Sequence, residues 1–277
     1  MAFPNSRARR GSRYSRRPAR YFPAAHAARP LAQEDWRPDV DSSPAIPGWK
    51  HALDVCLILV TLPVTLPLMA AISLWIRTVS RGPALFRQER VGLNGKRFVL
   101  YKFRSMRLGA DPTRHHDHFR HLVRTGKPLV KLDLLCDSRL IPGGCLLRAA
   151  GLDELPQLLN VLRGEMSLVG PRPCLPQELG FFSARQRERF KALPGLTGIW
   201  QVYGKGTATF TEMNAMDTLY VRKASPALDL SIIVRTPFVL LAQMSAACRQ
   251  SRLVSGKGEY DESEQSALSV LEIQREG

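Results

Sequence analysis

Residues 55–76 read VCLILVTLPVTLPLMAAISLWI, 22 positions without a charged side chain. That is about the length a helix needs to cross the hydrocarbon core of a bilayer. The run starts too far from residue 1 to be an ordinary signal peptide, and no small-residue cleavage site follows it. Two features argue against a simple crossing. Pro63 and Pro67 stand in its middle, where each removes a backbone donor and crowds the preceding turn. Cations also flank both ends: an arginine block and Lys50 before it, and nine Lys or Arg against the single acid Glu89 over residues 77–107. Excess Lys and Arg mark cytoplasmic flanks, so both ends favour one side. A helix that enters, breaks at the prolines and returns satisfies both observations, whereas a proline-kinked single-pass anchor satisfies one. The sequence therefore predicts a re-entrant membrane helix over residues 48–82.

Upstream, residues 1–29 hold eight arginines and no acid, spaced by Gly, Ser, Pro and Ala. Such a stretch cannot bury enough apolar surface to order itself, which predicts a basic disordered region over residues 1–47. A block of this kind binds something anionic, either nucleic acid or the anionic cytoplasmic leaflet of a membrane. The chain as a whole carries a formal net charge of +16, yet its 44% apolar content is enough for a real core. Cys56, Cys136, Cys145, Cys174 and Cys248 show no CxxC spacing and read as reduced thiols, without a metal or disulfide framework.

Downstream, residues 84–107 (ALFRQERVGLNGKRFVLYKFRSMR) predict two short strands around a turn at Asn94-Gly95. Arg87, Arg90, Lys96, Lys102 and Arg104 decorate this hairpin, and a solvated face would explain them as well as an anion site. The stretch DPTRHHDHFRH (111–121) pairs His115 with His118, or His118 with His121, at metal-binding spacing. A His-rich solvated loop is the simpler expectation, since no carboxylate or cysteine is spaced to complete a site. Further on, SARQRERFKALPG reads as a polar helix stopped at Pro194-Gly195, and LTGIWQVYGKG as a strand and turn. SPALDLSIIVRTPFVLLAQMSAA reads as an amphipathic helix on a membrane surface, before a flexible tail over residues 246–277.

In AGLDELPQLLNVLRGEMSLVGPRP (150–173), Asp153 and Glu154 open an apolar stripe of Leu155, Leu158, Leu159 and Leu162, closed by Arg163-Gly164. Asp153 sits where an N-cap belongs, so capping would account for the pair. The same helix start also favours a bound phosphate. Arg172 in the rigid GPRP turn and Arg148 before the pair offer guanidinium groups for an anion. Among arginines, an ionised carboxylate can attack phosphorus, while its neighbour helps hold a divalent cation or move a proton.

KHALD, the proline-interrupted apolar segment, FRQERVGLNGKRFVLYKFRSM, LDELPQLLNVLRGEMSLVGPRP, PGLTGIWQV and LDLSIIVRT occur in one order over about residues 49–240. Together they resemble the bacterial sugar transferases, the small monotopic phosphoglycosyl transferases. The resemblance implies an α/β, mainly helical fold: a monotopic membrane protein whose re-entrant helix carries a small cytosolic catalytic domain, here residues 83–245. It implies transfer of a sugar 1-phosphate from a UDP-sugar to polyprenyl (undecaprenyl) phosphate, with release of UMP. The step would begin exopolysaccharide, capsule or O-antigen synthesis at the cytoplasmic face of the bacterial inner membrane, through an aspartyl intermediate and with Mg²⁺. Carried over by motif, Asp153 is the nucleophile, Glu154 its acidic partner, and Asp229 a further catalytic acid placed with Asp153 near the metal. Arg172 contacts phosphate, joined by Arg148, Arg104 and Lys102, and Pro67 with Pro63 marks the membrane break. Two departures stand out. Leu66 replaces a Ser often found before that proline, leaving Thr65 to supply a hydroxyl, and IPGGCLLRAAGLDELP has small residues where the family often has a basic turn. Read without the resemblance, a membrane-tethered basic module for nucleic acid or anionic lipid remains the alternative. The enzyme needs Arg172 beside the acids and no nucleic acid.

Overall fold

The computed structural model describes residues 46–109, 113–129 and 139–256. The arginine block, Cys136 and the chain beyond residue 256 lie outside the described residues. Helix α1 (Gly48–Val79) contains both Pro63 and Pro67 and continues through them as one helix, where a break was expected. Proline interrupts the backbone ladder, but side-chain hydroxyls can re-satisfy freed carbonyls. Thr61 Oγ1 donates to the carbonyl oxygen of Leu57 (2.8 Å), which is not one of the two that the prolines free, those of Leu59 and Pro63. Thr65 was expected in that role, but its hydroxyl has no partner among the described residues.

Both ends of α1 bury side chains against the rest of the protein. Ile58 joins Phe98, Leu100, Val161 and Met166, while Ile72 and Ile76 join Ala84, Phe103, Ile141 and Leu147. Between them Leu59, Val60, Val64 and Leu66 are exposed. Close packing at the second end depends on Gly143: its φ is +70°, and a Cβ there would come within 2.6 Å of the Trp75 ring. The small residues at 143–144 are thus explained by the approach of α1.

Strands β1 (Leu85–Val91) and β2 (Arg97–Phe103) pair antiparallel from Leu85↔Phe103 to Val91↔Arg97. They turn through Asn94 (φ 51°) and Gly95 (φ 72°), as the Asn-Gly signal predicts. Next come α2 (Thr113–Thr125), α3 (Gly144–Ala149), a 3₁₀ segment Leu152–Gln157 that runs into α4 (Leu158–Leu162), and β3 (Ser167–Val169). Two 3₁₀ segments, Pro176–Phe181 and Gln186–Lys191, precede β4 (Gly195–Thr197), which pairs parallel with β3. Helices α5 (Ile199–Tyr203), α6 (Phe210–Lys223) and α7 (Pro226–Gly256) complete the described chain. The protein is thus mostly helical with two small sheets, and α1 and α7 are long and apolar enough to fit membrane association.

Several expectations are corrected. The His-rich stretch is a helix, not a loop. The polar segment around 186–191 is a 3₁₀ turn that buries Arg189 and Phe190 instead of a solvated helix. Helix α7 runs through residues 246–256, where the tail was expected to start. Helix α6, not anticipated, opens with a capping box: Thr209 Oγ1 accepts from the Glu212 N–H (3.3 Å), and the Glu212 carboxylate accepts from the Thr209 N–H (2.8 Å). The leucine stripe is also displaced. Leu159 and Leu162 face outward, whereas Asp153, Pro156, Gln157, Asn160 and Val161 are buried, a helical face that is largely polar.

Candidate active site

Asp153 and Glu154 stand inside the 3₁₀ segment Leu152–Gln157, not at a cap. The capping position belongs to Gly151 (φ 67°), and no side chain caps the turn. The polar face behind the pair explains its placement. The segment packs on β2, and Asn160, fully buried one turn beyond it, fastens α4 to the free edge of that strand. The Asn160 side-chain amide donates to the Val99 carbonyl (2.7 Å) and to Glu165 (2.6 Å), and its oxygen accepts from the Tyr101 N–H (3.2 Å). A side chain thus substitutes for a neighbouring strand, satisfying edge groups that burial would otherwise leave costly. Asp153 itself is only 6% exposed.

Arg90, read from sequence as one of several hairpin cations, is buried and belongs to this neighbourhood. Its Nη1 donates to the Pro173 carbonyl (3.1 Å) and its Nη2 to Gln88 (2.8 Å). Burial, with the like charge of Arg172, lowers its pKa to about 10, while Glu178, Cys174 and Glu154 oppose that shift. Arg172 and Glu154 are thus both within electrostatic reach of Arg90. The half-buried Arg172 guanidinium lies 5.6 Å from the Trp200 ring. Behind it, Arg189 Nη2 donates to the Arg172 carbonyl (2.6 Å) and lies 2.7 Å from Asp217 Oδ2, and its Nη1 donates to Asn214 (3.0 Å).

The remaining predicted residues divide. Arg148 ends α3, half-buried, just before the pair. Lys102 is half-buried on β2 beside Phe103, with which Leu152 and Leu155 of the acidic segment cluster. Arg104 is committed elsewhere: it is buried and donates to the carbonyls of Ser80 (2.8 Å) and Arg81, closing the end of α1. Asp229 also lies elsewhere. It is fully buried and paired with Lys50, and its Oδ1 is 2.9 Å from the Tyr220 hydroxyl. Nearby, Asp54 accepts from Ser167 Oγ (2.6 Å) and the Leu168 N–H (3.2 Å). The side chain of Leu240 lies where a Cβ on Gly151 would meet it; Leu240 is three turns of α7, about 16 Å, beyond Asp229. KHALD and LDL thus meet in a buried polar knot between α1, β3 and α7, away from the acidic pair.

The model of the family described as "Bacterial sugar transferase" matches residues 46–243. The chain belongs to this family. Among relatives, the Galactosyl transferase CpsE of Streptococcus agalactiae is 41% identical over 161 residues, 58% of this chain and 35% of that protein. The Exopolysaccharide production protein ExoY of Sinorhizobium fredii is 34% identical over 197 residues, 71% of this chain and 87% of its own. The UDP-glucose:undecaprenyl-phosphate glucose-1-phosphate transferase of Caulobacter vibrioides is 41% identical over 205 residues, 71% of each chain. The protein thus spans about a third of CpsE and most of the other two. In this bacterial sugar transferase Lys50 and Asp229 join in a buried knot, while the acidic pair stands on a separate 3₁₀ segment packed on β2. Among the described residues, no three His, Cys, Asp or Glu side chains converge as a ready cation site. Mg²⁺ is commonly held by one or two carboxylates together with substrate phosphates, so Asp153 and Glu154 fit it, and Asp229, already engaged by Lys50 and Tyr220, does not.

Proposed function

We propose that the protein transfers a sugar 1-phosphate from a UDP-sugar to undecaprenyl phosphate, releasing UMP, as the first step of exopolysaccharide, capsule or O-antigen assembly. What supports this reading is the family match together with the hydrogen bond from buried Arg90 to the Pro173 carbonyl, which ties the hairpin to the GPRP turn with Glu154 within electrostatic reach. An Asp153 carboxylate oxygen attacks the phosphorus that bears the sugar. The bond from that phosphorus to the bridging oxygen breaks, and UMP leaves. A phosphate oxygen of the lipid then attacks the aspartyl phosphate, forms the lipid diphosphate sugar, and returns the carboxylate. Arg172 and Arg90 offset phosphate charge as the anions approach, and Glu154 holds or moves a proton beside the nucleophile. Mg²⁺ bound by Asp153 and Glu154 would supply further charge neutralisation on the phosphates.

The membrane reading rests on α1 and its surroundings. A spanning helix can press only one end against a domain on one side of a bilayer, whereas α1 buries both ends and exposes its apolar middle. Leu159 and Leu162 on α4, with Leu230, Val234, Phe238 and Leu241 on α7, add outward apolar surface. These features support a monotopic enzyme at the cytoplasmic face of the inner membrane. The deciding experiment adds polyprenyl phosphate and UDP-sugars to membranes containing the protein. UMP release that depends on the lipid is expected, and its absence with every UDP-sugar would overturn the reading.

A further inference from the structure

A shallow cleft opens beside Arg172, walled by Phe119, Leu122, Leu129, Trp200 and Met213. We propose that this cleft receives the pyrimidine base of the nucleotide sugar, with Arg172 at its edge on the phosphates. The proposal rests on the transferase reading above and locates one end of its donor.

Three parts of the reaction compete for the space. The polyprenyl chain stays with the bilayer, and none of the cleft-lining residues comes from α1 or α7, whose exposed leucines mark the membrane-facing side. The cleft is built instead from α2, α5, α6 and the GPRP turn. The sugar carries hydroxyls in every direction, and walls of Phe119, Leu122, Leu129 and Met213 would leave several of them without partners, a costly form of burial. A planar base with few polar atoms suits such walls. The polar groups present match a base: buried Glu178 and half-buried His118 line the cleft. Trp200, 4% exposed, contributes its ring to the wall, a flat surface suited to a base. Arg172, over the Trp200 ring, also borders Arg90 and through it Glu154. A nucleotide held this way runs base, phosphates, acidic pair, and leaves the sugar beyond the cleft.

The test compares UMP with inorganic pyrophosphate, binding each to the full-length protein in nanodiscs by calorimetry. Both anions engage the cations, but only UMP has a base. The unmodified protein should bind UMP at least about tenfold more tightly than pyrophosphate. Leu122→Trp, which fills the cleft, should erase that advantage and keep pyrophosphate affinity. Phe119→Leu, which removes an aromatic wall and keeps an apolar side chain, should weaken UMP about threefold or more with pyrophosphate unchanged. Equal affinities of the unmodified protein for the two ligands would overturn the proposal. So would unaltered UMP affinity in Leu122→Trp or, where that variant loses pyrophosphate as well, in Phe119→Leu. The transferase reading fails separately: base-dependent UMP binding without lipid-dependent UMP release would remove it and leave the cleft assignment standing.

Discussion

Arg90 donates from Nη1 to the carbonyl oxygen of Pro173 at 3.1 Å, fastening the end of the β1–β2 hairpin to the turn that carries Arg172. From the opposite side, Arg189 donates to the carbonyl of Arg172 itself. Two consecutive carbonyls are thus held by buried guanidiniums from two distant segments, and prolines 171 and 173 stiffen the chain between. The Arg172 backbone is fixed while its side chain extends over Trp200, so little ordering is left to occur when a phosphate arrives.

Arg90→Lys keeps the charge and loses the planar fork that spans Pro173 and Gln88. The variant should fold, and its kcat/KM for the donor should fall by about tenfold or more, with Arg90→Ala lower still. Steady-state kinetics beside thermal melts check this. Undiminished kcat/KM in folded Arg90→Lys would reduce Arg90 to a hairpin cation.

Asp153→Asn keeps the shape of the side chain and removes the attacking charge. Transfer should fall to background while membrane association is retained, and mass spectrometry of the unmodified enzyme given donor alone should find a sugar-phosphate adduct on Asp153. Full activity in the Asn variant would end the nucleophile assignment.

Lys50 and Asp229 make the opposite case, a charged pair predicted to be structural. Lys50→Met leaves Asp229 and Asp54 buried without their cation and should cost about 3–5 kcal/mol of stability. Adding Asp229→Asn should recover part of that loss. In the single Asp229→Asn variant the Mg²⁺ concentration giving half-maximal activity should stay within about twofold of the parent. A shift of tenfold would return Asp229 to the metal.

How much of this was legible in the sequence depends on whether the signal was local. The Asn94-Gly95 hairpin, the apolar α1 and the acidic pair are set by neighbouring residues, and their sequence patterns identify them. The Thr209–Glu212 box was equally local and was overlooked. The leucine stripe misled because periodicity reports which face is apolar, not whether protein or lipid covers it, so Leu159 and Leu162 could turn outward while Asn160 turned in. Arg90 and Arg104 look alike within the hairpin, yet one meets Pro173 and the other caps α1. That division follows from partners more than twenty residues away for Arg90 and Arg104, and spacing carries no trace of it. The pairing of Lys50 with Asp229, from opposite ends of the domain, was hidden for the same reason.

Asp217 should leave a signature in pH. Burial raises its pKa to about 6, against the pull of Arg189 and Arg172, whereas an unfolded aspartate titrates near 3.9. Between these values the native state binds more protons than the unfolded chain. This contribution to stability is therefore full below about pH 4, falls as pH rises, and is gone above about pH 6. Asp217→Asn should abolish that slope in urea unfolding followed from about pH 4 to 7. At neutral pH the variant should be no less stable than the parent, because the raised pKa means that the native site, Arg189 included, favours a neutral side chain there. An unchanged slope would show that another group titrates in this window.

Topology offers the last test. Helix α1 keeps its helical path through Pro63 and Pro67, so the re-entrant model no longer rests on a break in secondary structure. It rests on burial: Lys50, Asp54 and Ile58 at one end and Ile72 and Ile76 at the other all pack into the same domain, and that domain cannot lie on both sides of a bilayer. Single cysteines at positions 47 and 83 should therefore both react with an impermeant maleimide from the cytoplasmic side, and neither from the periplasm. Cys56 and Cys145 are exposed and, with Cys136 and Cys248, must be replaced first, whereas Cys174 is buried, with its thiol pKa pushed up to about 12. The cations on both flanks reinforce the expectation, since they resist translocation. Replacing Pro63 and Pro67 with Leu restores two backbone donors and favours a straighter helix. If the prolines let α1 return, that variant should pull Ile58 or Ile72 from its cluster, move position 47 toward periplasmic labelling and lose activity. Periplasmic reaction at position 47 in the unmodified protein would overturn the re-entrant arrangement and leave a single-pass anchor, with the chemistry at Asp153 untouched.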